Sequence, residues 1–255
     1  ALAPLTPNIR FGLLVTCNSY RHPPLLAKMA STLDIISNGR LEFGIGAGDA
    51  PKEYEGYGWF YPKDSTTIRQ LDEALRIIKK MWSENRPTYE GRYYSVKEVK
   101  SEPKPLQKPH PPIWIGSLTG KRMISKVAAK HADVYNIFPK TPSDFLRLME
   151  TFKESCSSVG RRYETVEKTM TKGFTMARTK LVLEEKLAQE AKRRGVSLEE
   201  YKKGLEGALY GTPEMCADIV KQYADVGVQG LILIFPPTKR LEDLQLFSEV
   251  IQQFK

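Results

Sequence analysis

The chain has 255 residues, 41% of them hydrophobic, with 39 Lys and Arg against 30 Asp and Glu and a net charge of +9. That is enough for one large α/β barrel or two small domains. No stretch reaches the ~18 apolar residues of a membrane helix, no basic-then-apolar leader opens the chain, and Cys17, Cys156 and Cys216 form neither a CxxC pair nor a metal-ligand spacing. The basic residues are not interleaved with aromatics as in nucleic-acid binders. Clusters such as Lys192-Arg193-Arg194 sit beside Glu190, Glu199 and Glu200, so the charge reads as solvated helix faces. The expectation is a cytoplasmic protein with a small-molecule substrate, no metal site and no nucleic-acid or membrane partner.

A buried strand is predicted over residues 9–16 (IRFGLLVT). Pro23 and Pro24 then open a helix whose apolar face is Leu26, Met29, Leu33 and Ile36, closed by Asn38-Gly39. Residues 41–45 form the next strand, and residues 66–82 a helix with Ile68, Leu71, Leu75, Ile78 and Trp82 on one face. Residues 86–112 hold six prolines and break this rhythm, which predicts an excursion with a short hairpin and an extended return. A strand over 113–115, a helix over 121–130 and a strand over 133–138 follow. Thr141-Pro142-Ser143-Asp144 supplies cap, N1 proline and N3 acid for a helix ending at Gly160. A strand over 169–177 leads to a charged helical insertion at 179–208. Thr212-Pro213-Glu214 starts another helix, and a strand over 230–235 and a helix over 241–254 close the chain. Six strand–helix units in alternation predict a parallel sheet.

Two strand ends are rich in glycine: Gly44-Ile45-Gly46-Ala47-Gly48-Asp49, and Gly116-Ser117-Leu118-Thr119-Gly120, which runs into a helix. Glycine lets backbone approach a ligand, and backbone amides cradle phosphate, with a helix N-terminus adding positive potential at the second site. The same glycines also suit simple tight turns. The first loop is not a dinucleotide fingerprint, because the third glycine is missing and Pro51 follows. His22, beside Arg21, is the one histidine placed to face a ligand, although capping or packing would equally explain it. Tyr20, Tyr54, Tyr57 and Trp59 suit either an apolar substrate pocket or ordinary core.

The colinear stretches LLVTCNSYRHPPLLAKMASTLDIISNGRLEFGIGAG, EYEGYG, EALRIIKKMW, YEGRYY, PKPLQKPHPPIWIG, HADVYN and GTPEMCADIV resemble the luciferase-like flavin and deazaflavin oxidoreductases. RHP, DIISNGRL and PLQKPHPPIWIG are the most specific of them. The resemblance implies a (β/α)₈ TIM barrel, a single domain over 1–255 that is incomplete at its N-terminus. ALAPLTPNIRFG resembles the approach to the family's third strand, so the first two βα units, on the order of 60 residues, would be absent. It also implies a bulge with a non-proline cis peptide at Leu14-Val15, followed by Thr16, behind a tricyclic ring. The phosphate would rest on Gly46, Ala47, Gly48 and Asp49 and on Gly116, Ser117, Leu118, Thr119 and Gly120. In some relatives an acid follows the first loop; here Asp49 and Glu53 are the weak catalytic candidates, with His22, while Ala50 occupies the aligned position. The implied activity is hydride transfer on coenzyme F-420 by a homodimeric oxidoreductase. An FMN-dependent monooxygenase and a non-catalytic relative stand as alternatives.

Overall fold

Alternating apolar runs and amphipathic helices resolve into parallel strands joined by helices in a computed structural model that describes residues 1–48, 50–235 and 241–254. The chain divides into two units, Ala1–Asn136 with Thr151–Val166, and Ile137–Glu150 with Glu167–Lys255.

In the first unit, β1 (Phe11–Gly12) and β2 (Thr16–Cys17) both pair in parallel with β3 (Leu41–Gly46), and β3 pairs with β6 (Ile113–Ser117). Strand β7 (Val134–Ile137) lies next to β6, and β1 ends the order. Among the described residues β1 therefore has a strand on one side alone. The helices are α1 (Pro23–Ile36), α2 (Pro51–Gly56), α3 (Asp64–Ser83) and α4 (Arg122–His131). The proline-rich excursion contains the expected hairpin, β4 (Tyr89–Glu90) against β5 (Ser95–Val96). Phe43 and Ile45 of β3 are buried on the helix side, where Phe43 meets Trp82 of α3 edge-on at 5.1 Å. Alternation then turns Glu42, Gly44 and Gly46 to the opposite face.

Two expectations are corrected here. Residues 9–16 are not one buried strand: residues 13–15 bulge out between β1 and β2, and Ile9 and Leu13 are 61% and 67% exposed. The buried face of α1 is Leu26, Ala27, Ala30, Ser31 and Asp34, while Met29 and Ile36 are exposed. The helix turns this way because Asp34 is fully buried and accepts from the Gln107 backbone N (2.9 Å) and from its Nε2 (2.7 Å). A buried carboxylate must be satisfied before apolar area is optimised. Gly39, at φ +74°, ends α1 through its N–H to the Asp34 carbonyl at 2.8 Å.

In the second unit, β8 (Glu167–Met176) pairs in parallel with β10 (Gly230–Ile234) and with the short β9 (Leu209–Gly211). Helix α5 (Pro142–Ser158) starts as expected, with Thr141 Oγ1 accepting from Asp144 N and Asp144 Oδ2 from Lys140 N. The 179–208 insertion folds as α6 (Lys180–Arg194) and α7 (Leu198–Gly204) over a small core of Leu183, Leu187, Ala191 and Tyr201. Helices α8 (Pro213–Asp225) and α9 (Leu241–Gln252) pack Cys216, Leu246 and Val250 on Phe174 and Met176. Lys172 is buried there, donating to Tyr223 Oη at 2.8 Å and to the Pro139 carbonyl, and burial lowers its pKa to about 8. Among the described residues no helix is long and apolar enough to cross a membrane, and no His, Cys, Asp and Glu cluster could hold a metal.

Candidate active site

The carboxyl ends of parallel strands collect loops free of the sheet's own hydrogen bonding, which is why barrel ligands bind there. In the first unit this end gathers the 13–15 bulge, both glycine-rich loops and the 53–61 segment. The Leu14–Val15 peptide is cis, as the resemblance implies. Its side chains are 41% and 37% exposed, an apolar surface at the sheet face that carries Gly44 and Gly46.

The glycines there answer first to the chain itself. A Cβ on Gly44 would fall 1.8 Å from the Leu13 carbonyl oxygen, and one on Gly46 would fall 2.6 Å from Val15 Cγ2. A Cβ on Gly116, across on β6, would stand 3.4 Å from Val15 Cγ1. Gly46 thus makes room for the Val15 side chain and Gly44 for the Leu13 carbonyl, and together they fix the height of the 13–15 backbone. Gly48, at φ +86°, abuts Tyr54 Oη and Cys17 Sγ, where a Cβ would come within 2.5 and 2.7 Å. Close approach of protein to protein therefore accounts for the glycines of the first loop without any phosphate.

The second loop differs. Ser117 is buried, and its Oγ accepts from Gly120 N at 2.9 Å, closing the turn; Leu118 and Thr119 are exposed. Helix α4 follows with Lys121 and Arg122 at its start, no acid in its first turn and no side chain capping its amides. Uncapped amides, the helix dipole and Lys121 suit an anion, with Arg122, 3.8 Å from Glu154, as a second cation nearby. A phosphate-bearing tricycle thus fits this end: apolar backbone at Leu14-Val15 for a ring face, and the start of α4 for the phosphate.

The remaining candidates separate. Asp49 lies outside the described residues. Thr16 is buried, its Oγ1 accepting from Arg21 at 3.5 Å. Ala47 is half-buried. His22 occupies the N-cap of α1 without capping it, its ring edge-on to Tyr94 at 5.7 Å. Glu53 accepts from Tyr20 Oη, and this bond, with desolvation, holds the Tyr20 phenol well above its ordinary pKa. Tyr54 is raised by burial and by its contact with Cys17 Sγ at 3.4 Å. Tyr20, Tyr54, Tyr57 and Trp59 do come together, with ring centroids 5.1 to 6.4 Å apart. Sequence reasoning passed over Asn18, which is fully buried, donates to Tyr94 Oη at 3.1 Å, and leaves Oδ1 without a partner among the described residues. Its place one residue past β2 was the available signal. The second unit has its own cavity of about 370 Å³ under α6 and α7, where Lys186, Arg193 and Arg194 face Glu190, Glu242 and Asp243.

The luciferase-like monooxygenase family model matches residues 1–230. An F-420-dependent glucose-6-phosphate dehydrogenase from Microbacterium testaceum (strain StLB037) is 26% identical over 272 aligned positions, covering 98% of this chain and 80% of that protein. Among solved structures, the coenzyme F-420-dependent tetrahydromethanopterin reductase from Methanopyrus kandleri superposes with a TM-score of 0.78 at 20% identity, covering 99% of this chain and 85% of that one. A long-chain alkane monooxygenase superposes with a TM-score of 0.82 at 17% identity, covering 99% and 71%. These superpositions show the fold, that of the luciferase-like TIM barrels.

Proposed function

The chain belongs to the luciferase-like monooxygenase family, and from that premise we propose that it is an oxidoreductase holding the deazaflavin coenzyme F-420 for hydride transfer to or from a small organic substrate. The observation that carries the choice of cofactor is the 26% identity, along 98% of this chain, to an F-420-dependent dehydrogenase. When bound, a deazaflavin supplies a two-electron hydride donor or acceptor that does not activate oxygen. The chain's own contribution is positioning. Leu14 and Val15 would supply an apolar surface to one ring face, with Val15 seated against Gly46. The 116–120 turn, with Lys121 and Arg122, would hold the phosphate. Tyr20 spends its one hydroxyl proton on Glu53, which leaves its phenol oxygen able only to accept from a substrate.

Parallel titrations with F-420 and FMN test this reading. The expected result is saturable F-420 binding, tighter than FMN, with turnover of the reduced coenzyme that is indifferent to oxygen. Binding of FMN alone, with oxygen consumed, would replace this reading with the monooxygenase one. Binding of neither would make the chain a non-catalytic relative.

A further inference from the structure

Single exposed apolar residues are ordinary, but a contiguous exposed patch marks a contact surface, and Tyr57, Trp59 and Phe60 are 65%, 45% and 87% exposed within one short segment. They are not loosely held. Tyr54, 2% exposed, anchors the group against Gly48 and Cys17 beside the first glycine loop. Gly58, at φ +70°, turns the chain back after α2, and Trp59 N then donates to the Tyr54 carbonyl at 2.8 Å. The turn sets Trp59 5.1 Å from both Tyr20 and Tyr57, with the Tyr57 and Trp59 planes only 31° apart. The Glu53 carboxylate stands beneath, holding Tyr20 upright. The ledge therefore offers the exposed ring surface of Tyr57 and Trp59, packed on each other at a 31° tilt, with Tyr20 edge-on to Tyr57 and one carboxylate.

Resting on the cofactor reading above, we propose that Tyr20, Tyr57, Trp59 and Glu53 form the substrate subsite beside the cofactor, and that it selects a flat aromatic molecule bearing a hydrogen-bond donor or a positive charge. Stacking on Tyr and Trp faces supplies affinity with little loss of side-chain freedom. The carboxylate supplies the polar end, and rings beside a carboxylate favour cations. The phosphate of a phosphorylated sugar, the substrate named for the M. testaceum relative, would be opposed by the charge of Glu53.

The probes are 2-naphthylmethanol, 2-naphthylmethylamine, glucose and glucose 6-phosphate, added to the protein with and without saturating cofactor and followed by tryptophan fluorescence in the wild type and by displacement in the Trp59 variants. The expected result is saturable quenching by both naphthyl compounds, with the amine tighter than the alcohol. Trp59→Ala should weaken both about tenfold, by the ~1–3 kcal/mol of one base-sized stacking contact. Trp59→Tyr should restore most of that affinity, read by displacement, and Glu53→Gln should erase the preference for the amine. Glucose 6-phosphate or glucose binding in place of the naphthyl compounds, or unchanged naphthyl affinity in a folded Trp59→Ala variant, would overturn the subsite. Failure of the wild-type protein to bind F-420, measured separately, would overturn the cofactor reading and leave the ledge result standing.

Discussion

The two ends of the first unit's strands are built on opposite principles. At the amino ends a set of polar side chains is tied down. Asp34 is held twice by Gln107, whose Nε2 also donates to the Leu41 carbonyl at 2.8 Å. Arg10 reaches Gln107 Oε1 at 2.8 Å, and Arg40 donates to the carbonyls of Ala3 and Thr6. Asp133 accepts from Ile113 N at 2.8 Å, and Trp114 Nε1 donates to Glu42. At the carboxyl ends the backbone bulges, apolar side chains face water, and the buried Asn18 Oδ1 has no partner among the described residues. The lesson is that two of the three most recognisable motifs, DIISNGRL and PLQKPHPPIWIG, meet each other at the amino ends, while RHP follows β2 at the other end. The distinctiveness of those two reports how the sheet is held together, and the proposed chemistry rests on other residues.

The sharpest way to break this comparison is Asp34→Ala. It leaves two donors of Gln107 without their acceptor in a fully buried site and should cost about 3 kcal/mol. In a protein of this size that lowers the unfolding midpoint by roughly 10 °C. Cofactor affinity in the folded fraction should not change. Thermal melts and titrations on one preparation check both, and a cofactor-specific loss without destabilisation would contradict the division.

Next in size is a cycle at the other end. Gly46→Ala drives a methyl to within 2.6 Å of Val15 Cγ2 and should destabilise by about 2 kcal/mol, as overpacking does. It should also weaken cofactor binding, because Leu14-Val15 is displaced. Val15→Ala in the same chain should recover at least half of both effects, since the colliding atoms are gone. Additive losses in the double variant would mean that Gly46 answers to something other than Val15.

A pH scan separates the ends further. Burial and the Cys17 contact raise the Tyr54 phenol above its ordinary value. A raised folded pKa contributes stability that is complete below the unfolded value of about 10 and fades as pH climbs beyond it. Alkaline unfolding above pH ~10 should therefore soften in Tyr54→Phe relative to wild type, whereas Asp34→Ala should shift the whole curve without changing its alkaline slope. Denaturant midpoints between pH 8 and 11 supply the comparison.

How much of this was legible follows the same division. Helix caps such as Thr141-Pro142-Ser143-Asp144 and the Gly39 stop were readable because they act within a few residues of themselves. The face of α1 was not, because it is decided by Gln107, 73 positions away from Asp34. The bulge was invisible to apolar counting, since Leu13, Leu14 and Val15 look like any buried strand and become exposed only when the chain leaves the ladder. Glycine carried a mixed signal: phosphate approach and accommodation of a valine place the same demand on the sequence, and only coordinates separate them. The aromatic ledge was named residue by residue, but its assembly depends on the left-handed turn at Gly58.

The smallest expected effect is electrostatic. Lys121→Ala with Arg122→Ala removes two exposed cations from the start of α4 and should leave the melting midpoint unchanged. F-420 affinity should fall about threefold to tenfold at low salt, and by less at high salt, where exposed charges are screened. An affinity loss insensitive to salt would place the phosphate elsewhere.

The most direct test of the central claim is a crystal structure of the protein with F-420 bound. The account requires the tricycle to lie on Leu14-Val15, with its phosphate oxygens about 3 Å from backbone amides between Gly120 and Arg122. A phosphate seated instead against Gly46 and Gly48, with the start of α4 contacting only solvent, would contradict it.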